Sequence, residues 1–312
     1  MAQDQGRIAI IGAGHVGATA AYALMLRALF REIILIDNNP ELATAEAADI
    51  ADAGGLARPA IVRAGDYADA ASARIVVLTA GAATHGDESR LSVAGRSADI
   101  VRQCVDQLMA AGFDGIILVA ANPVDVMAMV AREASGLPPE RVIGTGTLLD
   151  SNRLRTLLAR QLGIAPASID AMILGEHGDT SFAALSIAKV GGMPIDGFAR
   201  DGGTLEAASL NGQVRQAAYR ILEGKGYTSF GIGTAIVRIC EAIVRNERVI
   251  LPVSTHLTGQ FGVDDVYLSL PCVLGAGGVE RVLTPDLDGA EIAAFRQSAE
   301  AVRGARATVS PR

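Results

Sequence analysis

Cysteine and histidine are scarce in this 312-residue chain. The three cysteines, Cys104, Cys240 and Cys272, are odd in number, far apart, and each set in an apolar stretch. That pattern excludes a disulfide framework or a metal cluster and reads as three small buried hydrophobes. The four histidines are His15, His85, His177 and His256, no two of them at metal-ligand spacing, so no metal is expected. A basic block is missing as well: 27 Lys and Arg stand against 34 Asp and Glu, for a net charge of −7. This argues against a nucleic-acid or acidic-membrane partner. No apolar run approaches the length of a bilayer span. The opening stretch MAQDQGRIAIIGAG has no basic segment leading a long apolar one, so no signal peptide is expected and a cytoplasmic location is.

What is present is a large apolar fraction. Half of the residues are hydrophobic and a fifth charged, enough for a sizeable core and too apolar for a disordered chain. The first half alternates short aliphatic runs with helical patterns: RIAII, EIILID, IVRAG, RIVVLT, GIILVA and RVIGTG are the runs. Continuous apolar strands separated by helices predict a parallel sheet covered on both faces, a Rossmann-type doubly wound α/β arrangement. Beyond residue 147 the pattern changes to a long helix, LLDSNRLRTLLARQLG, and a set of shorter strands, SIDAMIL, LSIAKV, RVILPVS and DVYLSLPCVL. Further helices are expected over roughly 203–223, 228–244 and 289–304. The expected organisation is a dinucleotide-binding domain over 1–147 and a mixed α+β substrate-binding and catalytic domain over 148–312.

GAGHVG (12–17) lies between the first strand and the first helix. Gly12 permits the tight turn, Gly14 lets backbone approach a diphosphate, and Gly17 lets helix and strand pack closely. Asp37 ends the next strand, twenty residues after Gly17. A carboxylate there accepts hydrogen bonds from a ribose and repels a 2′-phosphate, which favours NAD over NADP. His15, inside the hexad, reads as incidental.

LGEHGDTSF (174–182) sets His177 between glycines and acids, and LDSNRLR puts Asp150 and Arg153 three apart on one side of a helix. A carboxylate that holds one imidazole nitrogen leaves the other to carry protons, and a nearby guanidinium offers a fork for a carboxylate. Taken singly, His177 reads as well as a turn histidine, Asp150 as a helix cap and Arg153 as a solvated helix face. A polar loop, AGAATHGDESRL (80–91), leaves the end of a strand, where ligands of open α/β sheets bind.

Taken together, GAGHVG, LID, AGAxxxxxESRL, ANPVD, GTGTLLDSNRLR, LGEHGDTSF and KGYTSFGIG occur in the order found in the L-lactate/malate dehydrogenase family. The chain resembles that family over nearly its whole length, with wording nearer the lactate type. The resemblance implies that His177 exchanges the proton, that Asp150 orients it, and that Arg90 on a mobile loop polarises the substrate carbonyl. It implies that Arg153 binds the substrate carboxylate and Asn122 a substrate oxygen beside the nicotinamide. Val16, Asp37, Gly81, Ala82, Asn122, Thr145 and Ile232 match cofactor-contact positions. Thr228 matches a threonine facing the substrate side chain.

Two departures stand out. The selector position of the loop, glutamine in lactate-type and arginine in malate-type members, is Thr84. An arginine that binds fructose 1,6-bisphosphate between subunits in many bacterial members matches Arg155, but its histidine partner is Asp170. Activation by that effector is therefore not expected. The resemblance implies an NAD-dependent enzyme for a small 2-oxo or 2-hydroxy monocarboxylic acid, of the lactate type, assembled as a homodimer or homotetramer. A dehydrogenase for larger 2-hydroxy acids and one for malate are the alternatives within the class. A catalytically silent NAD-binding protein is the alternative outside it, although such a protein would be expected to lose His177, Arg90 or Arg153.

Overall fold

The computed structural model describes residues 6–57, 59–82, 90–198 and 207–309, with backbone only for 90–92. The aliphatic runs of the first half form β1 (Arg7–Ile11), β2 (Glu32–Ile36), β3 (Ile61–Ala64), β4 (Ile75–Leu78), β5 (Ile116–Val119) and β6 (Val142–Gly144). Between them lie α1 (His15–Arg27), α2 (Pro40–Ala57), α3 (Tyr67–Ala70), α4 (Arg90–Ala110) and α5 (Val124–Ser135). Every residue of β4 and β5 is buried, as strands covered by helices on both faces must be. The six strands run parallel in the order β3-β2-β1-β4-β5-β6. The winding reverses between β1 and β4, which opens a crevice beyond the carboxyl ends of those strands. This is the doubly wound parallel sheet that the sequence pattern predicts.

The remainder of the chain comprises α6 (Leu148–Leu162), β7 (Ile169–Asp170), β8 (Ile173–Leu174), β9 (Phe182–Ala183), β10 (Lys189–Val190), β11 (Met193–Pro194) and α7 (Ile195–Phe198). Then come α8 (Ala207–Lys225), α9 (Phe230–Val244), β12 (Val249–Thr258), β13 (Asp264–Gly275), β14 (Gly278–Val282) and α10 (Gly289–Ala307). The long strands β12, β13 and β14 do not form a sheet of their own. They extend the parallel sheet in antiparallel sense, with β12 against β6 through Ser254 and Gly144. A Cβ at Gly144 would lie 2.7 Å from that of Ser254, so glycine is what lets β12 close on β6. SIDAMIL is broken into β7 and β8, and LSIAKV into a single 3₁₀ turn and β10.

Two apolar cores fill the faces of the nine-stranded sheet. One of them joins Ala20, Ala21 and Leu24 of α1 to Ile236, Ile239 and Ile243 of α9. A third, smaller core packs α6 and α8 on the short strands. All three cysteines are buried thiols. Among the described residues no helix is long and apolar enough to cross a membrane.

Candidate active site

The glycine-rich turn is shaped by contacts that only glycine allows. Gly12 has φ +108°, and a Cβ there would lie 2.6 Å from the amide nitrogen of Ala80. A Cβ on Gly17 would fall 1.9 Å from the carbonyl oxygen of Gly12. Gly14, by contrast, has nothing within 4 Å of its added Cβ. It caps α1 without a side-chain bond, and no acid occupies the first turn, so the leading N–H groups face a site that suits an anion. Asp37, just past β2, is pinned at this mouth. It accepts from the amide of Ala13 at 2.7 Å through Oδ2 and from that of Asn39 at 2.9 Å through Oδ1. An open, glycine-lined helix terminus beside a fixed carboxylate fits a dinucleotide with a free ribose.

The other positions matched to the cofactor line the same edge. Gly81 and Ala82 follow β4, Asn122 follows β5 and precedes a cis proline, and Thr145 follows β6. Ala82 donates its N–H to Ser97 Oγ on α4 at 3.1 Å. Val16 lies in the first turn of α1, and Ile232 near the start of α9.

The proton-transfer candidates converge from two elements. α6 begins at Leu148 and presents Asp150 from its first turn and Arg153 from its second. His177 follows β8, whose end is tied to β13 by paired backbone bonds between Gly175 and Ser269. Gly175 has φ +89°, and Ser298 would sit 2.5 Å from any Cβ added there. His177 donates from Nδ1 to Asp150 Oδ2 at 2.6 Å, and Arg153 donates to Asp150 Oδ1 at 2.9 Å. The imidazole keeps 29 % of its side chain exposed, whereas Asp150 keeps 10 %. Burial by itself pushes the His177 pKa down, but the charge and hydrogen bond of Asp150, aided by Asp125, carry it above its usual value. Asp150 moves the other way. Burial would raise it, yet His177 and Arg153 hold the carboxyl below its ordinary range. The pair is thus set for a protonated imidazole beside an ionised carboxylate, with Nε2 left to face a reactant.

Asp125 is a residue that the sequence reading passed over. It stands in the first turn of α5 and is almost fully buried. Its Oδ2 accepts the backbone N–H of His177 at 2.8 Å, and its Oδ1 accepts Ser254 Oγ at 2.5 Å. Burial raises its pKa to about 6 against those two bonds. One buried carboxylate therefore ties the histidine turn to α5 and β12. The available signal was its place in ANPVD, two residues after the proline. From the other side, Arg215 of α8 donates to the carbonyl of Asp179 at 2.6 Å, and Asn211 accepts from Ala183 N–H at 2.7 Å.

Thr228 is half-buried in the turn between α8 and α9. Thr84 lies outside the described residues, as does the side chain of Arg90, whose backbone opens α4.

Comparison with known proteins gives one family. Residues 6–144 match the NAD binding domain of lactate/malate dehydrogenase, and residues 147–308 match its alpha/beta C-terminal domain. An L-lactate dehydrogenase of Thermus aquaticus is 44 % identical over 303 residues, covering 96 % of this chain and 98 % of its own. One from Allorhizobium ampelinum is 43 % identical over 301 residues, covering 95 % and 97 %. The ligand-bound crystal structure of the minor L-lactate dehydrogenase of Enterococcus mundtii superposes with a TM-score of 0.95 at 38 % identity, covering 98 % of this chain and 99 % of that one.

Proposed function

The chain belongs to the lactate/malate dehydrogenase family, and from that premise we propose that it is an NAD-dependent L-lactate dehydrogenase, interconverting pyruvate and L-lactate. It is an oxidoreductase acting on the CH–OH group of a 2-hydroxy acid, with NAD as cofactor. The observation that carries the reading of the site is the shared carboxylate of Asp150, which holds the His177 imidazole on one oxygen and the Arg153 guanidinium on the other.

When bound, the nicotinamide supplies or accepts a hydride at the carbon bearing the substrate oxygen. Gly12, Gly14, Val16, Gly17, Asp37, Gly81, Ala82, Asn122, Thr145 and Ile232 would hold the cofactor along the strand ends. In reduction, His177 Nε2 hands its proton to the substrate oxygen as negative charge grows there. In oxidation the neutral imidazole takes that proton back. Asp150 stabilises the imidazolium and fixes the ring tautomer. Arg153 receives the substrate carboxylate on its fork, which sets the face of the carbonyl that is presented. Arg90 adds a second positive charge beside the substrate oxygen, and Asn122 donates to it. Thr84 and Thr228 meet the end of the substrate side chain.

Thr84 shapes the expected specificity. A second carboxylate, as in oxaloacetate, would be enclosed beside a neutral residue, at a cost of several kcal/mol that a methyl group does not incur. A side chain smaller than glutamine leaves room for chains longer than a methyl, which favours a second reading, an enzyme for larger 2-hydroxy acids. A panel of 2-oxo acids followed by NADH oxidation tests both. Pyruvate and 2-oxobutyrate should exceed oxaloacetate in kcat/KM at pH 7.5, and Thr84→Arg should reverse that order. Preference of the wild type for oxaloacetate would overturn the assignment.

The division into a cofactor domain over 1–147 and a substrate domain over 148–312 is supported by the two family matches, which meet between residues 144 and 147. A homodimer or homotetramer is supported by exposed apolar side chains on three helices, Tyr22 and Leu26 of α1, Leu42 of α2 and Phe230 of α9. Light scattering on the eluted protein measures that state. A cytoplasmic location is supported by three unpaired, buried thiols.

A further inference from the structure

His15 is the member of GAGHVG to which the dinucleotide reading gives no task. Its side chain is exposed on the first residue of α1, yet its ring is stacked on Tyr227, with centroids 3.8 Å apart and 12° between the planes. The cluster continues through Lys225, whose Nζ lies 4.2 Å from the centre of the Tyr227 ring and 4.0 Å from that of Phe230. Tyr227 belongs to the short turn joining α8 to α9, and its next neighbour is Thr228. A ring from the phosphate-binding turn thus grips the segment that carries a wall of the substrate pocket. The two helix starts are in close contact as well. A Cβ at Gly233 of α9 would lie 2.9 Å from Thr19 Cγ2 of α1.

We propose that the His15–Tyr227 stack is a positioning device that fixes Thr228 relative to the amino end of α1, so that the cofactor turn sets the width of the substrate pocket. The inference rests on the reading of Thr228 as a residue facing the substrate side chain. Neither ring touches substrate; both act through Thr228. The turn they hold is short and includes Gly226 at φ +82°, a backbone with little stiffness of its own. The stack supplies the missing constraint through flat ring contact, which phenylalanine at either position would retain and an aliphatic residue would not.

The test compares His15→Ala, Tyr227→Leu and the double variant with the ring-preserving His15→Phe and Tyr227→Phe. Steady-state constants are measured for pyruvate and 2-oxobutyrate at saturating NADH. His15→Ala and Tyr227→Leu should each raise KM for pyruvate about three- to tenfold and narrow the preference for pyruvate over 2-oxobutyrate, with kcat changed less than about twofold. The double variant should be no worse than the poorer single, since both remove one contact. The two phenylalanine variants should stay near the wild-type KM. An unchanged substrate ratio, or additive losses in the double variant, would overturn the role of the stack while wild-type turnover of pyruvate keeps the activity assignment. Absence of turnover of either acid by the wild type would overturn both.

Discussion

Burial and charge oppose one another at His177. A neutral imidazole is favoured by the enclosure, but Asp150 at 2.6 Å outweighs it, and the pKa lies above the ordinary histidine value. In the proposed mechanism reduction of the oxo acid needs the protonated ring, so kcat/KM for pyruvate should be flat at low pH and fall as pH rises through that raised pKa. Asp150→Asn removes the stabilising charge. The falling limb should therefore move to lower pH, with kcat reduced about 10²- to 10⁴-fold and NADH affinity, by fluorescence titration, nearly unchanged. The same pair enters stability with two signs. The His177 contribution is complete below its unfolded pKa and fades as pH rises through the folded value, while the Asp150 contribution fades as pH falls through its lowered value.

Asp125 behaves in the opposite sense to Asp150, because its partners are dipoles and its enclosure is deeper. With a folded pKa of about 6, the fold favours its protonated form. Its stabilisation is complete below the unfolded carboxyl value and is lost as pH rises through about 6, to the extent of about 3 kcal/mol. Asp125→Asn keeps an acceptor for the His177 amide and removes the charge. Urea melts between pH 4 and 8 should show a flatter stability profile for this variant than for the wild type. An unchanged slope would mean that Asp125 is solvated in the folded protein.

Helix α6 shows how one element serves separate ends. Its first two turns carry Asp150 and Arg153, the residues proposed to act in the reaction, while Arg155, two residues after Arg153, is directed elsewhere. There it is partly buried, its Nε lacks a hydrogen-bond partner among the described residues, and burial lowers its pKa against the opposing charge of Asp170 at the end of β7. A sugar bisphosphate brought to Arg155 would meet that carboxylate. Fructose 1,6-bisphosphate should leave the KM for pyruvate unchanged, and a fall in KM on its addition would show that Asp170 does not guard the arginine.

The elements differ in how plainly the sequence declared them, and the reasons are physical. β1, β2, β4, β5 and β6 are mainly aliphatic runs bounded by turn residues, so their strand character and burial are local properties. The edge strand β3, by contrast, carries Arg63 and leaves Ile61 exposed. The place of β12 to β14 is not local. Nothing in RVILPVS says that Gly144, a hundred residues earlier, leaves room for Ser254. In the site, His177, Asp150 and Arg153 sit in motifs with distinctive neighbours. Asp125 escaped because a lone acid near a helix start reads as an ordinary first-turn residue, and its worth appears only when the histidine turn folds over it. His15 escaped for the same reason, since its partner is more than two hundred residues away.

At the scale of the whole molecule, one sheet passes through the point where the two family halves meet. β6 pairs with β5 on one side and with β12 on the other, so a chain ended at residue 147 would leave β6 as an open edge. It would also uncover the face of α1 on which Ile236, Ile239 and Ile243 of α9 pack. On that face the fragment would expose Leu24 with Ala20 and Ala21, and an unburied leucine alone costs about 1.5–3 kcal/mol against a typical domain stability of roughly 5–15 kcal/mol. A fragment of residues 1–147 should therefore bind a hydrophobic dye and show no cooperative thermal transition, although it holds every strand of the parallel sheet. The intact chain should melt in a single step by circular dichroism, because neither half keeps its core when the other opens. Two resolved transitions in the intact chain, or a fragment that melts cooperatively, would mean that the shared sheet is a docking contact between independent folds. The pairing of β6 with β12 makes the opposite outcome the expected one: the halves that divide the chemistry share one folding unit.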